Sequence, residues 1–207
     1  MSPESEAAGI DRAGVVGAGT MGNGIAHVFA LAGLETTLVD VDPDALEQAR
    51  STIRANLDRQ VRKGSVERAE ADAALDRLSA DTATGAVSDA GIVVEAVPER
   101  AELKGRLFGE LSEVCGPEAV LATNTSSISI TEIASHADGP ARVIGMHFMN
   151  PVPVMELVEV IRGLETSDAV TARTMALARR LGKTPVEVED YPGFVSNRIL
   201  MPMINEA

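Results

Sequence analysis

Two groups of residues in this 207-residue chain have the types and spacing that chemistry needs: a glycine cluster near the start and three scattered histidines. Gly17-Ala-Gly19-Thr20-Met21-Gly22 spells G-x-G-x-x-G. Gly17 permits a tight turn, Gly19 lets backbone approach a pyrophosphate, and Gly22 lets a following helix pack closely on a sheet. An anion held there meets the free N–H groups and positive dipole end of that helix. Asp40 ends the next apolar run, 18 residues after Gly22. Its carboxylate can accept from ribose hydroxyls and repels a 2′-phosphate, and Asp42 adds to that repulsion, so the pattern favours NAD over NADP. An imidazole can give or take a proton near neutral pH. His147 ends an apolar run at the expected C-terminal edge of a sheet, where ligands of α/β folds bind. His27 is expected at a helix surface, on a face away from Ile25 and Phe29, and His136 in a solvated polar loop. Cys115 reads as a small residue at a helix end, and one cysteine rules out an internal disulfide framework. His and Cys are too few and too scattered to suggest a metal site.

These residues need a scaffold, and short apolar runs alternate with longer helical patterns. Ala13–Val16, Thr36–Val41, Gly91–Val97, Val120–Thr123, Val143–His147, Met155–Ile161 and Thr184–Val188 read as strands. Gly19–Leu31, Pro43–Lys63, Glu67–Leu78 and Arg100–Val114 read as helices, and a further helix starts at Ser167 or Asp168 and stops at Gly182. Asp42 is a good N-cap and Pro43 suits a first turn. Alternation of this kind predicts an α/β domain with a mainly parallel, buried sheet. The break at Gly64-Ser65 divides the stretch from Pro43 to Leu78 into a protruding helical pair. A last helix opens at Pro192-Gly193 and runs to Ala207 with no polar stop. The sequence therefore reads as cut inside a helix, with a domain boundary near Tyr191.

A formal net charge of −13 repels phosphate backbones and anionic lipid, so nucleic acid and membrane surfaces are excluded as partners. Aromatic residues are 2% of the chain, too few for base-stacking platforms. An anionic ligand must be captured locally, by backbone N–H groups or a few placed Lys and Arg. Met1–Gly9 lacks the basic and apolar regions of a signal peptide, and a cytoplasmic location is the default expectation.

At Asn124-Thr-Ser-Ser127, His147-Phe-Met-Asn-Pro-Val-Pro-Val-Met-Glu-Leu-Val-Glu159 and Pro192-Gly-Phe-Val-Ser-Asn-Arg198, the chain resembles the 3-hydroxyacyl-CoA dehydrogenase family. The resemblance runs from about Arg12 to Ala207, and its most specific part is His147 to Glu159. It implies a Rossmann-type doubly wound NAD-binding domain over residues 10–190, with 191–207 beginning an all-α dimerisation domain that is mostly absent. It implies a catalytic pair at His147 and Glu159, with Ser126 and Asn197 as further site residues that position substrate. Gly17, Gly19, Thr20, Met21, Gly22 and Asp40 would hold the cofactor, and Glu99, Lys104 and Asn150 match positions near it. Lys63 matches the residue that meets coenzyme A phosphates, with Arg62 as its competitor. The implied reaction is reversible oxidation of an (S)-3-hydroxyacyl-CoA by NAD, with a short chain such as 3-hydroxybutyryl-CoA as the expected substrate and a homodimer only when the helical domain is present.

Elementary chemistry agrees with that assignment. Oxidising a secondary alcohol needs a base for the hydroxyl proton, and a carboxylate beside an imidazole orients the ring and stabilises its cation. Glu156 is a decoy for Glu159, expected to point to the other strand face. Two rivals remain open: a related dehydrogenase of a free hydroxy acid or sugar acid, and a non-catalytic NAD-binding relative that has kept the fold.

Overall fold

The computed structural model describes residues 9–206, so Met1–Ala8 and the terminal Ala207 lie outside the described residues. Eight strands form one sheet in the order β3-β2-β1-β4-β5-β6-β7-β8. They are β1 Arg12–Val16, β2 Glu35–Val39, β3 Leu78–Asp81, β4 Ile92–Glu95, β5 Val120–Thr123, β6 Val143–Phe148, β7 Leu157–Arg162 and β8 Thr184–Glu189. Neighbouring strands from β3 to β6 are parallel. The direction reverses once, at the antiparallel β6–β7 pair, and β8 then runs parallel to β7. Strands β4, β5 and β6 are buried along their whole length, as expected of strands covered on both faces.

Helices cover the two faces. On one side, α1 (Thr20–Leu31), α2 (Pro43–Arg62), α3 (Arg68–Asp76) and α6 (Asp168–Arg180) share a core with the sheet. On the other, α4 (Ala101–Val114) and α5 (Ile130–Ala134) pack through Leu107, Phe108, Leu111, Ile130 and Ile133. The starts of these helices follow from local chemistry. Asp42 accepts from the Asp44 N–H at 3.0 Å before Pro43. Glu67 and Glu70 form a capping box on α3, and Ser167 caps α6. In α2, the buried residues Leu46, Ala49, Ile53 and Leu57 repeat every three or four positions, which is one helical stripe. The helical pair packs on α1 and reaches the sheet at its edge strand β3.

Several expectations need correction. The helix expected to reach Leu78 ends at Asp76, and Leu78–Asp81 is an edge strand missed because only Leu78 of its four residues is buried. Met155 and Glu156 precede β7 rather than belong to it. Pro192-Gly193 forms a turn, and the final helix, α7, spans Ser196–Asn205. His27 is buried, not at the surface. The face of α1 opposite the sheet is covered by α2, and His27 Nε2 lies 3.0 Å from the Gln60 amide oxygen. Burial lowers its pKa from the usual histidine value, the Gln60 hydrogen bond works against that, and the charge on Lys183 adds to the lowering.

Candidate active site and dinucleotide cleft

The order β3-β2-β1-β4-β5-β6 places the switch point between β1 and β4, and a crevice opens there beyond the C-terminal strand ends. A cleft at this edge has a volume of about 1100 Å³. The turn after β1 forms part of its wall, through Gly17, Gly19, Thr20 and Met21, with Asp40 beside it. Gly17 has φ +104°, and a Cβ there would come within 2.7 Å of the Ala96 carbonyl. A Cβ on Gly22 would stand 1.7 Å from the Gly17 carbonyl oxygen, so the turn and α1 can close only on glycine. Around Gly19 nothing lies within 4 Å of where a Cβ would be. Gly19 is the N-cap of α1, no side chain caps this end, and the first turn holds no acidic residue. The exposed N–H end of α1 and the open space above Gly19 therefore fit a pyrophosphate. Asp40 accepts from the Ala18 N–H at 2.7 Å and from the Asp42 N–H at 3.0 Å. The carboxylate thus fixes the glycine turn, it has acceptor capacity left, and Asp40 lines the cleft.

A second group gathers at the same sheet edge. His147 and Glu159 are register partners across the antiparallel β6–β7 pair, so their side chains stand on one face, directly opposed. His147 Nδ1 lies 2.8 Å from Glu159 Oε2, and both side chains are buried. An ionised carboxylate only accepts, so Nδ1 carries the proton and Nε2 of the neutral ring is the free base. Ser126 Oγ lies 3.1 Å from Nε2. Phe194 covers the imidazole, with ring centroids 5.8 Å apart. Asn197, near the start of α7, donates through Nδ2 to the Ser126 carbonyl at 3.3 Å. The structure therefore brings together all four residues Ser126, His147, Glu159 and Asn197. Burial pushes the Glu159 carboxyl up, but donation from His147, from the backbone and hydroxyl of Ser196 and from the Val195 N–H outweighs it. The carboxyl is held at about 2.

Glu99 accepts at one oxygen from Thr125 Oγ1 (2.5 Å), the Ser126 N–H (2.9 Å) and the Ser127 N–H (3.1 Å). Burial raises the Glu99 carboxyl, but these donors and the nearby Lys104 bring it below the usual range. Glu99 thus pins the loop that carries Ser126. Lys104 lies beneath the site rather than in the cleft wall. It is fully enclosed and pairs with Glu95 at 2.6 Å and Glu99 at 3.3 Å. Asn150 lines a smaller hollow of about 440 Å³ that shares Gly19 and Thr20 with the large cleft. Lys63 and Arg62 are exposed at the C-terminal end of α2, and neither lines the cleft. His136 is exposed and Glu156 is exposed.

Four supporting residues escaped the sequence reading. Glu95, fully buried at the end of β4, also accepts from Thr123 Oγ1 and the Val97 N–H, both at 2.7 Å. A carboxylate closing an apolar Ile-Val-Val run was its signal. Asn124 holds β6 by accepting from the Phe148 N–H at 2.9 Å. Asp190 accepts from the side chains of Ser129 and Thr131, each at 2.7 Å, and from the Ile130 and Thr131 N–H groups. Ser196 donates to Glu159, and nothing in its spacing announced that. Among the described residues there is no cluster of three or more His, Cys, Asp or Glu able to hold a metal ion. No helix among them is long and apolar enough to cross a membrane.

Residues 12–191 match the family model described as 3-hydroxyacyl-CoA dehydrogenase, NAD binding domain. The chain is 50% identical over 193 residues to a probable 3-hydroxybutyryl-CoA dehydrogenase of Bacillus subtilis, covering 93% of this chain and 67% of that protein. It is 50% identical over 201 residues to a 3-hydroxybutyryl-CoA dehydrogenase of Bradyrhizobium diazoefficiens, covering 97% and 69%. The crystal structure of an (S)-3-hydroxybutyryl-CoA dehydrogenase from Ralstonia eutropha superposes with a TM-score of 0.93 at 46% identity, covering 95% of this chain and 70% of that one.

Proposed function

The chain belongs to the 3-hydroxyacyl-CoA dehydrogenase family and carries its NAD-binding domain, and from that premise we propose that it oxidises a short-chain (S)-3-hydroxyacyl-CoA reversibly, with His147 as general acid/base. Bound NAD supplies the hydride acceptor. In the oxidative direction His147 Nε2 takes the proton of the substrate's 3-hydroxyl. Glu159, ionised and buried, keeps Nδ1 protonated, so that Nε2 is the basic nitrogen, and then stabilises the imidazolium. On binding, the substrate's 3-hydroxyl displaces the Ser126 hydroxyl as the donor to Nε2, which frees the Ser126 O–H to donate to the 3-oxygen, and Asn197 donates to the substrate at the mouth of the site. Such fixed donors favour charge that develops in the transition state. In the reverse direction the imidazolium returns its proton to the 3-oxygen. Glu99 acts by holding the Ser126 loop, and Lys104 by neutralising Glu95 and Glu99.

The observation that carries this reading is the unbroken chain Ser126 Oγ–His147 Nε2, His147 Nδ1–Glu159 Oε2 at 3.1 and 2.8 Å, at the sheet edge that also opens the dinucleotide cleft. A short acyl chain is supported by the names of the relatives at 50% identity. Lys63, with Arg62 beside it, is the proposed contact for coenzyme A phosphates. Residues 191–207 are the proposed beginning of the helical, dimer-forming unit, and the exposed Ile199, Met203 and Ile204 of α7 are apolar as an interface requires. The test is NADH formation from (S)-3-hydroxybutyryl-CoA, with free 3-hydroxybutyrate as control. Turnover of the thioester, abolished in His147→Gln, is expected. Preference for the free acid, or a His147→Gln variant as fast as the parent, refutes the proposal.

A further inference from the structure

Glu159 has two carboxylate oxygens and four donors upon them. Oε1 accepts from the Val195 N–H at 3.0 Å and the Ser196 N–H at 2.8 Å. Oε2 accepts from His147 Nδ1 and from Ser196 Oγ, each at 2.8 Å. Residue 196 thus supplies two of the four, and its hydroxyl shares one oxygen with the imidazole. Any residue at 196 can offer the backbone N–H, but only a hydroxyl or thiol side chain can reach Oε2 as a donor of this size.

We propose that Ser196 is a positioning residue for the His147–Glu159 pair, acting through the shared carboxylate oxygen. It does two things there. It fixes the plane of the carboxylate, which fixes the ring of His147 and so aims Nε2 at Ser126 and the substrate. It also draws charge from Oε2, which tempers the pull of the carboxylate on the Nδ1 proton. Among the described residues, Ser196 Oγ is the side-chain donor that joins His147 on Oε2, while the two backbone N–H groups hold Oε1. The register partner of Glu159 on β8 is the apolar Val186, the face of His147 is covered by Phe194, and the Arg198 guanidinium lies over the Tyr191 ring, 5.6 Å from its centre. Ser196 opens α7, so the catalytic pair and the first helix beyond the sheet are joined by these hydrogen bonds. The proposal rests on the dehydrogenase reading for its kinetic consequence but not for its geometry.

The experiment compares Ser196→Ala, Ser196→Thr and Ser196→Cys in the full chain by two readouts. The first is the low-field proton resonance of His147 Nδ1–H, assigned by its loss in His147→Gln. It is expected to move further downfield in Ser196→Ala, where Oε2 loses a competing donor, to return in Ser196→Thr, and to lie between in Ser196→Cys. The second is turnover. kcat is expected to fall about tenfold in Ser196→Ala, as befits loss of one hydrogen bond to a charged group. KM for both substrates should stay within about twofold of the parent, and Ser196→Thr should recover most of the rate. An unmoved resonance in Ser196→Ala, an unchanged kcat, or a Ser196→Thr variant as impaired as Ser196→Ala overturns the proposal. A parent protein without turnover whose resonance still moves as expected leaves the positioning role standing and removes the dehydrogenase reading instead.

Discussion

Replacing Glu159 by Gln tests the charge on which the site depends. The carboxylate receives four donors and makes no donation. Glutamine offers one accepting oxygen and one NH2 group of the same shape. If the NH2 faces Val195 and Ser196, two part-buried N–H groups lose their acceptor, at about 1 kcal/mol each. If it faces His147, the ring must shed its Nδ1 proton and carry the proton on Nε2, where it cannot act as base. The charge itself has a stability signature. A carboxyl held at about 2 instead of 4.5 contributes on the order of 3 kcal/mol at neutral pH. Because the folded value is the lower one, that contribution is complete above 4.5 and is lost as pH falls through about 2. Urea unfolding of parent and variant at a series of pH values should show a gap that is constant near neutrality and closes in acid. Turnover should fall by about 10³- to 10⁴-fold, the scale seen when the carboxylate of a serine-protease triad is made an amide. A variant within tenfold of the parent rate, or with the same acid slope of stability, would overturn the role given to the Glu159 charge.

Other perturbations separate scaffold from site. Gly22→Ala places its Cβ 1.7 Å from the Gly17 oxygen, so calorimetry should find NAD binding abolished and the fold weakened. Gly19→Ala meets no protein atom within 4 Å, so its melting point should barely move while NAD affinity falls by tenfold or more, because the methyl occupies the place left for the ligand; equal affinity would contradict the pyrophosphate assignment. Asp40→Ser removes the charge that disfavours a 2′-phosphate, and the NADP-to-NAD ratio of kcat/KM should rise by roughly tenfold or more. Lys104→Met strands Glu95, whose side chain is 0% exposed, and should cost about 3–5 kcal/mol in chemical denaturation; a loss under 1 kcal/mol would show that the pair is not needed.

What the sequence discloses depends on how local each determinant is. The glycine turn, the caps at Asp42 and Ser167 and the buried runs of β1, β4 and β5 are set by neighbours within a few positions, and they were legible. The edge strand β3 was not, because four residues with one buried side chain look like the tail of the helix before them. His27 was misplaced because its burial comes from α2, a contact 33 residues away in the chain. Periodicity cannot announce a helix covered on both sides. The pair of His147 and Glu159 was found through resemblance. Their spacing of twelve does not reveal that the chain reverses between them and brings them into register. Asp190 and Ser196 act on residues 59 to 61 and 37 positions away, beyond any local pattern.

The single reversal between β6 and β7 has a consequence for how such a site can change. Two hydrogen-bonded ribs of backbone, not flexible connectors, set the distance between base and carboxylate. The segment between them can lengthen or shorten and leave that distance alone. Inserting one residue within β7 would turn Glu159 to the opposite side of the sheet, and within β6 would turn His147, in either case away from its partner. Variation is thus free to remodel what surrounds the pocket, while the spacing of its proton-handling groups is inherited from the pleat.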